Sequence, residues 1–165
     1  MAIVASQILF YYPQVSSEGG NHGGTCVDTE VVTTKNGLWD DVSGAQAAAG
    51  TTEYRKVFVG VSDTVADVLS SAVAWIASTT PATGDAIWLK SVTAATDAGN
   101  VRSQVTSVAA QFKSALTAKA VGVDLGNISS GVGNAAAVWM ARVVAAGAGA
   151  QANNSGILRV EGETS

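Results

Sequence analysis

Few residues in this chain have the types and spacing needed for chemistry. His22, the only histidine, lies in the glycine-bearing stretch Ser16–Gly24, four residues before Cys26, the only cysteine. A His–Cys pair can share a metal or form a nucleophilic dyad, but either use needs a third ligand or an orienting group, and none stands at a matching spacing. The glycine pairs around His22 lack the G-x-G-x-x-G spacing and lead into no helix pattern, which argues against a phosphate cradle. Asp40 and Asp41 could act as acid and base or hold Mg²⁺, yet they precede a capped helical turn, where carboxylates favour the positive end of the helix. No serine stands in a G-x-S-x-G elbow. Trp39, Trp75, Trp88 and Trp139 could form a stacking platform for a sugar, but each falls beside or inside an expected strand, where core packing is the default and a backbone carbonyl would take up the indole N–H. The sequence therefore names no catalytic, cofactor-binding or metal-ligating set.

The element that carries Trp39, Asp40 and Asp41 runs from Leu38 to Val59, LWDDVSGAQAAAGTTEYRKVFV. Ser43 and Gln46 have capping-box spacing, the alanines that follow are good helix formers, and Gly50 is a natural stop. A helical turn over about 43–50 is expected. From Glu53 the period changes to two, with Tyr54, Lys56 and Phe58 on one face and Arg55, Val57 and Val59 on the other. Leu38, Trp39, Tyr54, Phe58, Trp75, Trp88 and Trp139 are the expected structural and core residues. Arg55, Arg142 and Arg159 all fall in strands and are candidate interface residues, with Glu53, Glu161 and Glu163 as partners.

Around that stretch the pattern is of short strands and small-residue turns. Strands are expected over Ala2–Tyr12, ending at Pro13, and over Thr25–Thr34, with a turn at Lys35-Asn36-Gly37. Further strands are expected over Tyr54–Val61, Ser70–Ser78, Ala86–Ser91, Val121–Leu125, Ala135–Val144 and Gly156–Glu161. One segment breaks the pattern. Val101, Val105, Val108, Phe112 and Leu116 recur at helical spacing, which predicts a longer helix over about 100–119. The expectation is a single mainly β domain over 1–165, β-sandwich-like, with one short capped turn and one longer helix.

Composition narrows the function classes. Nine basic against thirteen acidic residues give a net charge of −4, which disfavours nucleic acid as a partner. Only 13% of residues are charged and 47% are hydrophobic, against about 25% charged in an ordinary globular domain. A surface so poor in charge suggests cover by a subunit or partner. The N-terminus lacks the marks of a signal peptide, no apolar run is long enough to span a membrane, and a lone cysteine forms no intrachain disulfide. These features predict a soluble protein made in a reducing cytoplasm.

Three stretches carry a resemblance. Leu38–Val59, then AVAWIASTTP (Ala72–Pro81), then DLGNISSGVGNAAAVWMARVVAAGAGAQANNSGILRVEGE (Asp124–Glu163) are similar to small virion structural proteins of tailed phages, Mu-like ones among them. In the closing segment of that family a glycine turn leads into a Trp-containing strand with an Arg, then a small-residue loop and a last strand with a Val-Glu-Gly triplet. The matches span somewhat over half the chain. The family's usual proline in the turn at Ala145–Gly147 is absent, and the 97–119 segment reads as an elaboration. The resemblance implies a β-rich minor capsid or decoration protein on the virion head, with itself and the major capsid protein as partners and no catalytic residue to carry over. A trimer is the copy number expected, from how such proteins cap lattice points. A tail or fibre-associated domain that binds a host-surface glycan is the alternative.

Overall fold

The computed structural model describes residues 3–16, 22–32, 34, 37–80, 83–92, 111–114, 116–149 and 155–164. Among the described residues, eight strands run in the order β1 (Ile8–Val15), β2 (Gly23–Glu30), β3 (Thr51–Val61), β4 (Leu69–Ser78), β5 (Asp85–Ser91), β6 (Val123–Ile128), β7 (Ala136–Val144) and β8 (Ile157–Thr164), with one α-helix, α1 (Gly44–Ala49), between β2 and β3. They form two antiparallel sheets, a five-stranded one ordered β2-β1-β3-β7-β5 and a three-stranded one ordered β6-β4-β8. The fold is mainly β and sandwich-like, as the strand spacing predicts.

The β3–β7 ladder is the spine. It runs unbroken from Thr51 opposite Val144 to Val59 opposite Ala136. Its register puts Arg55, Val57 and Val59 on one face and Tyr54, Lys56 and Phe58 on the other. The first face meets the three-stranded sheet: Val57, Val59, Val61, Val138, Met140 and Leu89 pack in one cluster with Ala72, Ala74, Ile76, Val123, Ile128 and Val160. The second face is also covered. Phe112 packs on Trp139 and Ala141 with Tyr54 and Trp88 at the margin, and Tyr11, Phe58 and Ala137 form a further cluster. Burial on both faces explains why every residue from Arg55 to Val61 is buried.

Two connections stitch the sheets together. Ser130 bridges to Val61 in parallel, and the Gly131 N–H donates to the Val61 carbonyl at 3.0 Å. On the far side, Lys113 and Leu89 exchange two backbone hydrogen bonds, and the Ile76 N–H donates to the Leu116 carbonyl at 2.8 Å. This second stitch corrects the C-terminal part of the helix expected over about 100–119. Residues 112–114 and 116–118 are not helical and contain a β-bridge; residues 93–110 and 115 lie outside the described set. The helical spacing of Phe112 and Leu116 has another cause, since one packs on the outer face of the large sheet and the other enters the core between the sheets.

Other boundaries also moved. β1 starts at Ile8, after a 3₁₀ turn at Ala5–Gln7, and continues through Pro13 to Val15. Pro13 sits where the β1–β2 register shifts on both sides, a place that tolerates a missing N–H. β2 begins at Gly23 and ends at Glu30, and the turn expected at Lys35-Asn36 lies outside the described residues.

One glycine is required by packing. A Cβ on Gly60 would come within 2.7 Å of the Tyr11 ring, which lies over it on the outer face. Tyr11 is itself 5% exposed and has little room to move. Gly60→Ala is expected to lower the unfolding free energy by about 1–3 kcal/mol. In a Tyr11→Ala background the same change should cost less than about 1 kcal/mol, because the clash is gone. Urea denaturation of the four proteins checks this, and equal penalties in both backgrounds would contradict it.

Candidate functional site

The chain's polar groups converge at the corner between Gly37 and Glu53. Ser43 caps α1 as its spacing predicts: the Gln46 N–H donates to the Ser43 hydroxyl at 3.2 Å, and the Ser43 N–H donates to Gln46 Oε1 at 2.9 Å. Gly50 ends the helix at φ +78°, where a Cβ would meet the Ala146 amide nitrogen at 2.9 Å. The cap has a further use. Gln46 Nε2 donates to Glu53 Oε1 at 3.1 Å, which orients the first carboxylate of β3.

Glu53 then receives Arg142 from the paired strand, through Nε at 3.1 Å and through Nη2. The same guanidinium donates from Nη1 to the Asp40 carbonyl at 2.9 Å. Two residues further along β3, Arg55 donates from Nε to the Leu38 carbonyl at 3.1 Å and from Nη1 to the Tyr54 carbonyl at 2.9 Å. Both guanidinium carbons stand 5.1 Å from the centre of the Trp39 ring. Two cations from adjacent strands thus hold residues 38–40 by their carbonyls and by the tryptophan between those carbonyls. Arginine suits this use because its planar fork stacks on an aromatic ring and donates at its edge in the same pose.

The three candidate interface arginines separate here. Arg55 is wholly buried and Arg142 is 9% exposed, so both serve contacts within the chain and neither is a surface contact residue. Arg159 alone keeps an accessible side chain, with its guanidinium 5.8 Å from the Trp75 ring. Of the expected core residues, Trp139, Phe58 and Trp75 are buried, whereas Leu38, Trp39, Tyr54 and Trp88 are half-buried at the margins of the clusters.

His22 and Cys26 have separate structural settings. Where β1 diverges from β3 after Tyr11, the Lys56 N–H donates to His22 Nδ1 at 3.3 Å, so the imidazole ring takes the place of a strand partner. The Lys56 ammonium donates to the Gly24 carbonyl at 2.9 Å and lies 5.0 Å from the Phe58 ring and 5.5 Å from the Trp139 ring. This buried lysine was not singled out from the sequence. The available signal was a cation on the same strand face as Tyr54 and Phe58, an apolar face that needs a specific counterpart. The carbonyl expected for the Trp139 indole is not found: Nε1 has no hydrogen-bond partner among the described residues, and the Lys56 ammonium lies over the ring. Burial, with a smaller contribution from the Asp28 carboxylate, pushes the Cys26 thiol up to about 11 despite the opposing Lys56 charge.

Asp40 and Asp41 have exposed side chains. Among the described residues no group of three or more His, Cys, Asp or Glu could hold a metal, and no helix is long and apolar enough to cross a membrane. The clefts are shallow and are lined by neutral groups for the most part. One of about 340 Å³ is bordered by Trp88, Ile87, Thr79, Thr80, Asp85 and Thr117, and Trp88 also borders a smaller one with Tyr54 and Phe112.

Two outcomes test this assignment. Trp39→Ala and Glu53→Gln should each lower the unfolding free energy by about 2–4 kcal/mol. Because both act on Arg142, the double variant should lose less than the sum, as read by urea denaturation. Strict additivity would refute the shared clamp. At pH 8 the Cys26 thiol, raised by burial, should react with a thiol reagent about 100-fold more slowly than a cysteine peptide, with the rate rising toward pH 11; a peptide-like rate would refute its burial.

Comparison with protein-family models, with curated proteins and with solved structures finds no match to the chain.

Proposed function

We propose that this chain is a virion structural protein of the head-decoration type, which binds the major capsid protein as a homo-oligomer and stabilises the shell by contact. The observation that carries the reading is the inward use of ionisable side chains. Arg55, Lys56, His22 and Arg142 are all buried in the sheet or the corner, in a chain with only 13% charged residues. Outside, scattered charges such as Asp28, Glu30, Asp63, Asp124 and Glu163 stand among small and neutral groups, with Val4, Val32, Val121 and Ile157 each more than half exposed. Such a surface suits adhesion to a protein lattice better than it suits solvent, since charge is depleted where interfaces are driest. The resemblance of Leu38–Val59 and of the Asp124–Glu163 segment to small virion proteins supports the same reading.

A tail or fibre domain that binds a host glycan is the second reading, favoured by one observation: half-buried Trp88 borders a cleft with hydroxyls from Thr79, Thr80 and Thr117. One experiment separates the two. The protein is incubated with expanded empty phage heads, and binding is followed by co-sedimentation, with a glycan array run in parallel. The decoration reading expects saturable binding to heads and a rise in their thermal stability, both unchanged by Trp88→Ala. Glycan binding abolished by Trp88→Ala, with no affinity for heads, would overturn it.

A further inference from the structure

Four strands lie at the ends of the two sheets, and they differ in what they could pair with. β2 carries Asp28 and Glu30 and no base, so two copies of it would repel. β5 already exchanges hydrogen bonds with Lys113 along its outer side. β6 is six residues long, and its ladder shifts register next to Gly126, which has φ +72°. β8 is different. It is eight residues long, and the register shifts against β4 place the extra residues on β4, so β8 itself stays regular. Among the described residues it forms a ladder with β4 only, and no other backbone hydrogen bond engages it. A long regular edge without Pro or a bulge is a template for another strand.

The charges on β8 select that strand. Arg159 and Glu161 project on its outer face, with side chains 60% and 41% exposed and Arg159 Nε 3.2 Å from Glu161 Oε1. In an antiparallel pair of identical strands, a two-fold axis through Val160 sets Arg159 opposite the partner's Glu161 and Glu161 opposite the partner's Arg159. The same register sets Leu158 against the partner's Gly162, so no bulky pair collides beneath the ladder. Opposite charges then face each other directly on both sides of the axis, in a closed group of four.

We propose that β8 is a self-recognition edge: two copies pair antiparallel through β8 about Val160 and join their three-stranded sheets into one continuous six-stranded sheet. The partner is a second copy of this chain, and the unit is a dimer, where the resemblance led to a trimer. The pairing stands independently of which surface the protein coats. It is also a light contact, since edge pairing buries less than a standard interface, so association is expected in the micromolar range and not as an obligate dimer.

The test is sedimentation velocity and light scattering of the full chain over about 5–200 μM, a range matched to a small interface. Arg159→Glu and Glu161→Arg are compared singly and together, with far-UV circular dichroism and urea midpoints as the control for folding. Lys119 lies 3.8 Å from Glu161 on the exposed surface, so some local repulsion in the Glu161→Arg variants is expected without loss of the fold. The wild type should show a monomer–dimer equilibrium. Each single change places like charges across the axis and should weaken the dimer at least about tenfold. The double variant R159E/E161R restores opposite charges at both positions and should return to within about threefold of the wild type. A wild type that stays monomeric throughout, an oligomer of another number, a dimer indifferent to the single changes, or a double variant that remains monomeric would each overturn the proposal. The two readings fail separately. Heads that bind a monomeric protein would sink the β8 pairing and leave decoration standing, whereas a β8 dimer that ignores heads would do the reverse.

Discussion

A buried guanidinium must find acceptors, and this fold is arranged around two of them. Arg55 and Arg142 arise on neighbouring strands of the same sheet face, the first wholly buried and the second nearly so. Their acceptors are the carbonyls of Leu38, Tyr54 and Asp40 and the Glu53 carboxylate, and Trp39 lies against both. Desolvation of a cation is costly unless each donor is matched. The path of residues 38–40 is therefore set by the strands they cross. The α1 cap joins the same system through Gln46 and Glu53, so helix, corner and sheet support one another.

The sequence disclosed the local parts of this arrangement and hid its partners. Ser43, Gln46 and Gly50 announce the capped turn because capping depends on neighbours three or four residues away, and the alternation from Glu53 onward announces β3. The charge pattern offers Glu53 as a partner for the strand arginines, but nothing local tells that Arg142, far along the chain, meets it inside the fold, so the arginines read as interface residues. Burial on both faces of β3 also erased the inside–outside signal that would have ranked Lys56 as a buried cation. The 112–118 stretch misled for a related reason. Phe112 and Leu116 are four residues apart, which mimics a helical face, but the extended chain sends them to different clusters as it passes from β5 to β4.

Function follows from where polarity is placed. The buried titratable groups tie backbone carbonyls and amides that the ladders leave over. His22 supplies an acceptor where β1 leaves β3, and Lys56 supplies a donor to Gly24 at the start of β2. The outer face of the three-stranded sheet carries Arg159, Glu161 and Ile157.

The β3–β7 ladder has a consequence for how the molecule is made. Its closest pair joins Val59 to Ala136 and its farthest joins Thr51 to Val144, so the spine forms only after most of the chain has left the ribosome. Contacts of such long sequence separation slow folding, because loop closure precedes the gain from pairing. Until β7 emerges, β3 offers an apolar strand with an open edge on that side, the condition in which nascent β proteins aggregate. The β1–β3 pairing, local by comparison, shields one edge early and leaves the other waiting. The interval between synthesis of β3 and synthesis of β7 is therefore the stage at which the nascent chain is most exposed to aggregation.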